Sequence, residues 1–381
     1  MISYLIVYIV SFTFIWLAIK LKEKSAYLSY WLTIASLLSL ATFAGLANVD
    51  VGVDKLTYAN KVFYQANTIH SFKEFVNIND GIEVGYLILN WIISLFISNI
   101  HWYYFIYTLI VCILFYYSIT LFQQYLNIPF QWFLFLTTFF PLTLCLYRQS
   151  LAAALITLAV SLQVTKDYKL ISIGLVGLAM LFHSSAAIGL VFLLLIYLIN
   201  NGEIKYKKNI SLLVIVLIFM YNATMILPSL SNMSLISAKY SDYVNGYLGV
   251  ENPISIGVSS VFLIIGLFYL KEMKKSKIFS IAYFFSIINT FIYPLEQISS
   301  VIGRLGLYFK IFLALYYGFL INKSINGSKF NIKKSLVGVL IIIYIITSNN
   351  NFILGLPNQE GRGTFDIYPY KSDIIENFIG R

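Results

Sequence analysis

Apolar runs of about 20 residues recur along the whole chain, and they restrict the fold more than any other feature. A run of about 20 residues is long enough for an α-helix to cross the hydrocarbon core of a bilayer. Only 11% of the 381 residues are charged, whereas soluble domains contain roughly a quarter. We therefore predict an all-α polytopic membrane protein with about 12 to 13 transmembrane helices, in one membrane-embedded domain that covers residues 1–381.

The basic residues are divided by type between two sets of segments. Five short loops contain most of the 26 basic residues, and every basic residue in those loops is a lysine. The positive-inside rule predicts that these lysine loops face the cytoplasm. The arginines lie in other segments, which the predicted order of helices places on the outer face: Arg148, Arg304, Arg362 and Arg381. This segregation favours an extracytoplasmic anion site, and it disfavours the nucleic-acid surface that a net charge of +10 would otherwise suggest.

The same order of helices predicts three extracytoplasmic segments, which are the loops 47–82 and 228–252 and the tail 348–381. Residues 56–75 of the first loop combine aromatic and charged side chains, so we expect one or two short helices in the outer interface. The membrane crossings can be counted from the first or from the second lysine loop. If every apolar run spans the membrane, the two counts disagree by one crossing between Glu83 and Phe130. We therefore expect one re-entrant or interfacial element in that interval. The alternative is that the loop around Asp54 is cytoplasmic and that the first lysine loop is an exception to the rule.

Two polar positions stand out between apolar runs, namely the pair Arg148-Gln149 and, further along, His183. A permanent charge is costly in hydrocarbon, so Arg148 should face a protein interior, a watery cavity or the interface. A guanidinium group binds phosphate through two hydrogen bonds, whereas lysine acts as a point charge. The pattern favours an anion site at the membrane surface with a histidine beside it. The alternative is an arginine that extends to the interface and anchors a helix end.

A series of short motifs follows the same order along the chain. The motifs are Val51-Gly52-Val53-Asp54 followed by Tyr58, Glu83-Val84-Gly85-Tyr86, Tyr147-Arg148-Gln149 followed by Ala152, Leu181-Phe182-His183-Ser184-Ser185, Arg304 with Tyr308, and Tyr368-Pro369-Tyr370. This series resembles the EpsG group of Wzy-type polysaccharide polymerases over nearly the whole chain. Two positions depart from the family's pattern. An arginine that precedes the first glycine is missing here, and Val84 replaces a proline.

The resemblance implies a membrane glycosyltransferase of the GT-C type in the bacterial cytoplasmic membrane, with its active site on the extracytoplasmic face. Such a polymerase transfers a growing glycan from one undecaprenyl diphosphate to the sugar of another lipid-linked unit. The implied partners are undecaprenyl-diphosphate-linked oligosaccharides and the bilayer, with a chain-length regulator and a flippase as candidates. The resemblance implies no cofactor and no metal, because the lipid diphosphate is already the leaving group. No cluster in the sequence has metal-ligand spacing.

The chemistry implied by the resemblance assigns roles to particular side chains. A departing diphosphate develops negative charge that guanidinium and polar groups stabilise, and the candidates are Arg148, Gln149, Arg304 and Tyr308. The acceptor hydroxyl needs a base, and the candidates are His183, Glu83 and Asp54. Simpler alternatives remain for these three: a packed histidine, an acidic residue in the first turn of a helix, and a turn residue.

Two other functions remain open at this point. A lipid-linked oligosaccharide flippase or transporter would place charges at mid-membrane and show internal pseudo-symmetry. Here the arginines cluster at one predicted face, and no such repeat is evident. An O-antigen ligase-like transferase would share the chemistry and use a different acceptor, and only the motif resemblance favours a polymerase over it.

Overall fold

The computed structural model describes residues 2–200, 260–261, 263–267, 269, 276–296, 300–325, 338–339, 342–343 and 370–379. All regular elements in these ranges are helical, which confirms the predicted all-α class. The chain forms two compact units, Met1–Ala187 with Ser348–Arg381, and Ile188–Thr347. The predicted loop 228–252 and residues 348–369 of the predicted tail lie outside the described residues. The single domain over 1–381 stays a prediction.

The first unit contains most of the described helices. They are α1 (Ile2–Leu21), α2 (Ala26–Leu46), α3 (Lys61–Thr68), α4 (Phe72–Ile78), α5 (Val84–Ser94), α6 (Ile100–Thr120), α7 (Ile128–Thr138), α8 (Phe140–Thr143), α9 (Tyr147–Lys166) and α10 (Lys169–Met180). A π-helix at Lys55–Asn60 and a 3₁₀ turn at Ser184–Ala187 also belong to it. The second unit contains α11 (Ile188–Asn200), α12 (Lys277–Glu296) and α13 (Ser300–Ile325). Finally, α14 (Asp373–Ile379) returns to the first unit.

Within the described ranges, four helical stretches are long and apolar enough to cross a membrane: α1, α2, α6 and Leu305–Asn322 of α13. They support a polytopic membrane protein, while the total of about 12 to 13 crossings stays a prediction. Helix α5 has 11 residues, which at 1.5 Å per residue is about 16 Å, roughly half the hydrocarbon thickness. It is therefore too short to cross alone and fits the re-entrant or interfacial element expected after Glu83.

The loop 47–82 forms short helices, as the sequence predicted. Its middle contains the π-helix Lys55–Asn60 and α3, and α4 follows. Ser71 caps α4 by accepting a hydrogen bond from the backbone N–H of Glu74. The placement of these helices in the outer interface stays a prediction.

Helix α9 is the central element of the first unit. Every residue from Tyr147 to Gln163 is buried, because its many alanines let neighbouring helices approach closely. The Tyr107 hydroxyl of α6 lies 3.2 Å from Ser150 Oγ on one side. Helix α10 folds back after Asp167, which takes the left-handed conformation, and the hydroxyl of its Ser172 donates to a carbonyl of α9. The start of α9, where Arg148 lies, is thereby fixed inside the unit.

Helices α1, α2, α6 and α7 surround this centre. Ser11 Oγ on α1 lies 2.7 Å from Ser36 Oγ on α2 and also accepts a hydrogen bond from the Trp132 indole of α7. Gly45, near the end of α2, lies so close to α6 that an added Cβ would be 3.1 Å from the His101 carbonyl oxygen. The His101 ring contacts the Gly45 carbonyl oxygen at 2.7 Å. The loop 47–82 therefore begins from a fixed helix end.

The last described segment of the chain packs against that same helix end. The Tyr370 ring stacks on Phe43 with centroids 4.1 Å apart, and its hydroxyl donates to the Phe43 carbonyl. Asn48 exchanges two hydrogen bonds with Asp373, at 2.8 and 2.9 Å, and its N–H donates to the Lys371 carbonyl. Lys371 also forms an exposed ion pair with Asp50 at 3.0 Å, and such pairs contribute little. The hydrogen bonds of Asn48 are therefore the main polar link.

We predict that Asn48→Ala releases this C-terminal segment. The substitution removes two side-chain hydrogen bonds, which together contribute on the order of 1–3 kcal/mol. Trypsin should then cleave after Lys371 faster than in the wild type, and mass spectrometry of the released fragment 372–381 measures the rate. Asn67→Ala is the matched control, because Asn67 bonds only to a carbonyl of its own helix. Equal cleavage rates in the two variants would contradict the prediction.

Candidate active site

Arg148 lies in the first turn of α9, and its side chain is only 9% exposed. Its Nη1 donates to Glu83 Oε2 at 2.7 Å. The guanidinium carbon lies 3.8 Å from the centre of the Tyr58 ring, a cation–π contact. The carboxylate of Asp54 adds a further attraction to the charge. Arg148 is therefore a buried and paired arginine inside the first unit.

The arrangement around Arg148 retains capacity to bind an anion. Nε of the guanidinium is buried and has no hydrogen-bond partner among the described residues. Leu146, which precedes α9, provides no side-chain cap. The amino end of a 20-residue helix contributes positive potential. An anion with several oxygens would therefore find both a hydrogen-bond donor and a favourable field.

Glu83 precedes α5 and does not cap it with its side chain. Its carboxylate instead bonds to Arg148, so the alternative of a simple helix-start residue does not account for it. Burial alone would raise the pKa of Glu83, but the Arg148 charge, hydrogen bonds and the nearby His183 bring the pKa below its ordinary value. Glu83 is therefore ionised at neutral pH while it is paired with Arg148.

His183 follows α10 and is 9% exposed. Its Nδ1 accepts a hydrogen bond from the backbone N–H of Ser185 at 3.3 Å and lies 2.6 Å from Ser185 Oγ. A backbone N–H can only donate, so Nδ1 is the accepting nitrogen. The neutral ring then has its proton on Nε2 and presents a donor there.

Two glycines allow the motifs to come together. Gly52 has φ of +105°, and a Cβ there would overlap the Leu144 carbonyl oxygen. The neighbouring Asp54 N–H donates to the Cys145 carbonyl at 3.1 Å. The first motif is therefore packed against the turn that leads to Arg148, which explains why a residue without a side chain is needed there.

Gly85 makes the equivalent contact for the second motif. Its N–H donates to the Leu181 carbonyl at 2.8 Å, and an added Cβ would be 2.7 Å from that oxygen. The Glu83 motif is thus packed against the turn that leads to His183. Residues about 100 positions apart are brought together by backbone contact at these two glycines.

The structure brings four predicted site residues together: Asp54, Glu83, Arg148 and His183. Gln149 is buried beside Arg148 in the first turn of α9. Tyr308 is buried on α13 of the second unit. Arg304 lies on the same helix, and its side chain is outside the described part of the chain. Among the described residues, no group of three or more His, Cys, Asp or Glu could hold a metal ion.

Three residues near the site had no role in the sequence analysis. Tyr58 belongs to the first motif, and Ser185 belongs to the motif that contains His183. Neither motif showed what these side chains contact. No pattern signalled Lys55, which is completely buried with Nζ 4.3 Å from the Tyr104 ring centre and 3.4 Å from the Asn48 carbonyl oxygen. Burial lowers the pKa of Lys55 to about 7, with a smaller opposing effect from Asp50.

We predict that Gly85→Ala disrupts the site. The new methyl group would press on the Leu181 backbone, which cannot move as a flexible side chain would, and we expect a loss of about 1–3 kcal/mol of stability. The polymerase activity that the motif resemblance implies should also fall, because Glu83 and His183 would be displaced from each other. Gly174→Ala is the matched control, since a Cβ at Gly174 meets nothing within 4 Å. Thermal unfolding in detergent and polymer yield in cells measure the two effects, and a Gly85→Ala protein as stable and active as the control would refute the explanation.

The comparisons with known proteins support this assembly of motifs. Residues 30–372 match the family model described as the EpsG family. No curated protein matches the chain, and no solved structure matches it. The family match covers most of the chain and all of the motifs quoted above, so the resemblance found in the motifs is confirmed, and the family suggests a polysaccharide polymerase. The chain belongs to the EpsG family.

Proposed function

We propose that this protein joins lipid-linked oligosaccharides into a polysaccharide. It transfers the growing glycan from undecaprenyl diphosphate to the sugar of an incoming lipid-linked unit, as a GT-C-type glycosyltransferase. The observation that supports this proposal best is the buried Arg148 at the start of a helix, whose Nε has no hydrogen-bond partner among the described residues. The carboxylates of Glu83 and Asp54 act on its charge, and His183 lies near Glu83. An anion-binding group next to proton acceptors is what departure of a diphosphate requires.

Arg148 is the proposed contact of the leaving diphosphate. Its guanidinium group is held in place by the Tyr58 ring, so little side-chain entropy is lost when the ligand binds. Gln149 is the proposed second contact from α9. The contributions of Arg304 and Tyr308 rest on the family motif, and we propose them as further diphosphate contacts.

The acceptor hydroxyl must lose its proton as it attacks. The candidates are His183, Glu83 and Asp54, and the contacts of His183 bear on the choice between them. In the neutral ring, Nδ1 accepts from Ser185 and Nε2 presents an N–H. This arrangement favours hydrogen-bond donation by His183 to the diphosphate or a sugar oxygen. It leaves the two carboxylates as the better proton acceptors.

We further propose that the site faces the outside of the bacterial cytoplasmic membrane. The lysine loops support this orientation through the positive-inside rule. Lipid-linked units would then arrive from a flippase, and a chain-length regulator would act on the same face.

The lipid-linked glycans of a strain that lacks this protein distinguish the three candidate functions. Loss of a polymerase should leave single repeat units on lipid at the outer surface and no polymer. Loss of a flippase should abolish all translocated units, and loss of a ligase should leave polymer attached to lipid. Complementation with the wild-type chain is the control. Accumulation of either of the latter two species would reject the polymerase.

We expect Arg148→Lys to lose most transfer activity while the protein still folds. Lysine keeps the charge that compensates Glu83, but it cannot donate two parallel hydrogen bonds to a phosphate. Removing a donor that stabilises the leaving group costs about 10²–10³-fold in rate. Arg381→Lys makes the same change at the last residue and should leave polymer length unchanged. A normal polymer from Arg148→Lys would show that the guanidinium group has no special role.

A further inference from the structure

We propose that Lys55 is a positioning residue of the active site, whose buried ammonium group fixes Asp54 and Tyr58 in place around Arg148. The inference rests on the proposed function and adds to it a residue that acts through others. Lys55 lies between the two side chains that it positions, directly after Asp54 and three residues before Tyr58. A displacement of Lys55 therefore moves both of them.

The Lys55 side chain is completely buried, and two contacts hold its Nζ. Nζ lies 4.3 Å from the centre of the Tyr104 ring, a cation–π contact with α6, and it donates a hydrogen bond to the Asn48 carbonyl at 3.4 Å. The first contact attaches the π-helix to α6, and the second attaches it to the start of the loop 47–82. Because Lys55 is the first residue of the π-helix, these contacts determine where that helix begins.

The Tyr104 ring connects this cation to the start of α9. The ring also packs against the Tyr147 ring, with centroids 5.7 Å apart, and Tyr147 directly precedes Arg148. The Tyr58 ring and the Asp54 charge act on the guanidinium group from the π-helix segment. One tyrosine of α6 therefore contacts both segments that form the anion site.

The energetics of burial argue against a role for Lys55 in stability alone. An ammonium group loses its hydration when it is buried, and one ring and one carbonyl replace only part of that hydration. A methionine of similar length would fill the same space without this cost. Asp50 attracts Lys55, but its carboxylate is 46% exposed and is already paired with Lys371, so its effect is small. The charge of Lys55 therefore lowers the stability of the fold, and we assign its benefit to the arrangement of the site.

The charge of Lys55 changes near neutral pH. Burial lowers the pKa of Lys55 from 10.5 to about 7, and the attraction of Asp50 opposes this shift. Lys55 is thus part ammonium and part amine at pH 7, and only the ammonium makes a cation–π contact. The charged and titratable groups around it come from three segments: Asp50 of the loop 47–82, Tyr104 of α6, and Lys371 of the C-terminal segment, which is paired with Asp50.

A rise in pH has opposite effects on stability and on the site. Between the folded pKa of about 7 and the ordinary value of 10.5, the unfolded chain binds more protons at Lys55 than the folded protein does. The contribution of Lys55 to the free energy of unfolding therefore increases with pH over this range. Over the same range the folded protein loses the ammonium group and its contact with Tyr104. The transfer rate should then fall as the pH rises through about 7.

Lys55→Met tests the inference, because it removes the charge and keeps most of the volume. At pH 6 the variant should unfold about 2–4 °C higher than the wild type in detergent, since it has no charge to bury. Its polymer formation at pH 6 should be about 10–10²-fold slower, because the site residues are no longer held in position. Both differences should shrink at pH 8.5, where the wild type has lost the same charge. Lys61→Met, at an exposed lysine of α3, is the matched control and should change neither quantity.

Open membrane fragments of the producing strain, supplied with lipid-linked repeat units extracted from it, provide the transfer rates. Both faces of the membrane then meet the buffer, so the assay does not depend on the orientation of the protein. The measured quantity is the ratio of the wild-type rate to the Lys55→Met rate at each pH. Other titrating groups of the site affect both proteins alike and cancel in this ratio.

Two substitutions of Tyr104 test the contact from the side of the ring. Tyr104→Phe keeps the ring, and the hydroxyl that it removes has no hydrogen-bond partner among the described residues. This variant should keep the wild-type rate and pH dependence. Tyr104→Leu removes the ring and should reproduce the rates of Lys55→Met. Combining it with Lys55→Met should slow transfer little further, because both substitutions remove the same contact.

Three results would overturn the inference. They are a Lys55→Met rate equal to the wild type at pH 6, a rate ratio that is the same at both pH values, and a Lys55→Met protein that is less stable than the wild type at pH 6. Any of them, obtained while wild-type fragments make polymer, refutes this inference and leaves the proposed function in place. Wild-type fragments that make no polymer from the supplied units at either pH refute the proposed function, and the inference with it.

Discussion

The burial of one permanent charge determines how the first unit is assembled. A guanidinium group removed from water needs close compensation, and removing a partner from such a group typically costs several kcal/mol. At Arg148 the compensation comes from two separate segments: Glu83 before α5, and Asp54 with Tyr58 at the π-helix. The charge therefore specifies which loops must meet at the start of α9. Nε is left without a hydrogen-bond partner among the described residues, and this donor makes the site suitable for a ligand.

Side chains as short as aspartate and glutamate can reach this charge only if their backbones approach very closely. Gly52 and Gly85 make that approach possible, each against a carbonyl just upstream of a site residue. The motifs therefore form two pairs. Gly52 packs on the turn before Arg148, and Gly85 packs on the turn before His183. A π-helix beside Asp54 adds an irregular turn of the kind often found at functional sites.

The chain's last described residues extend the same assembly. Asp373 bonds Asn48, Tyr370 bonds the nearby Phe43 carbonyl, and the Asn48 carbonyl in turn contacts the buried Lys55. The loop that contains Asp54 is thus fixed from two directions, by the turn before α9 and by the C-terminal segment. This explains why a family pattern in the tail accompanies patterns in the first loop, although more than 300 positions separate Asn48 from Asp373.

The sequence by itself determined the all-α membrane class, the family and the identity of four residues that meet at the site. The apolar runs and the placement of charges indicate whether each segment lies in lipid or in water. The motifs contain the residue types that the proposed chemistry needs. The sequence could not determine which partner each of these residues contacts. Arg148 pairs with Glu83, His183 bonds Ser185, and Lys55 is buried under a polar loop, and none of these follows from local pattern. The tertiary structure decided them, because a partner for a buried charge is selected by backbone approach between distant segments, and local sequence does not encode that distance.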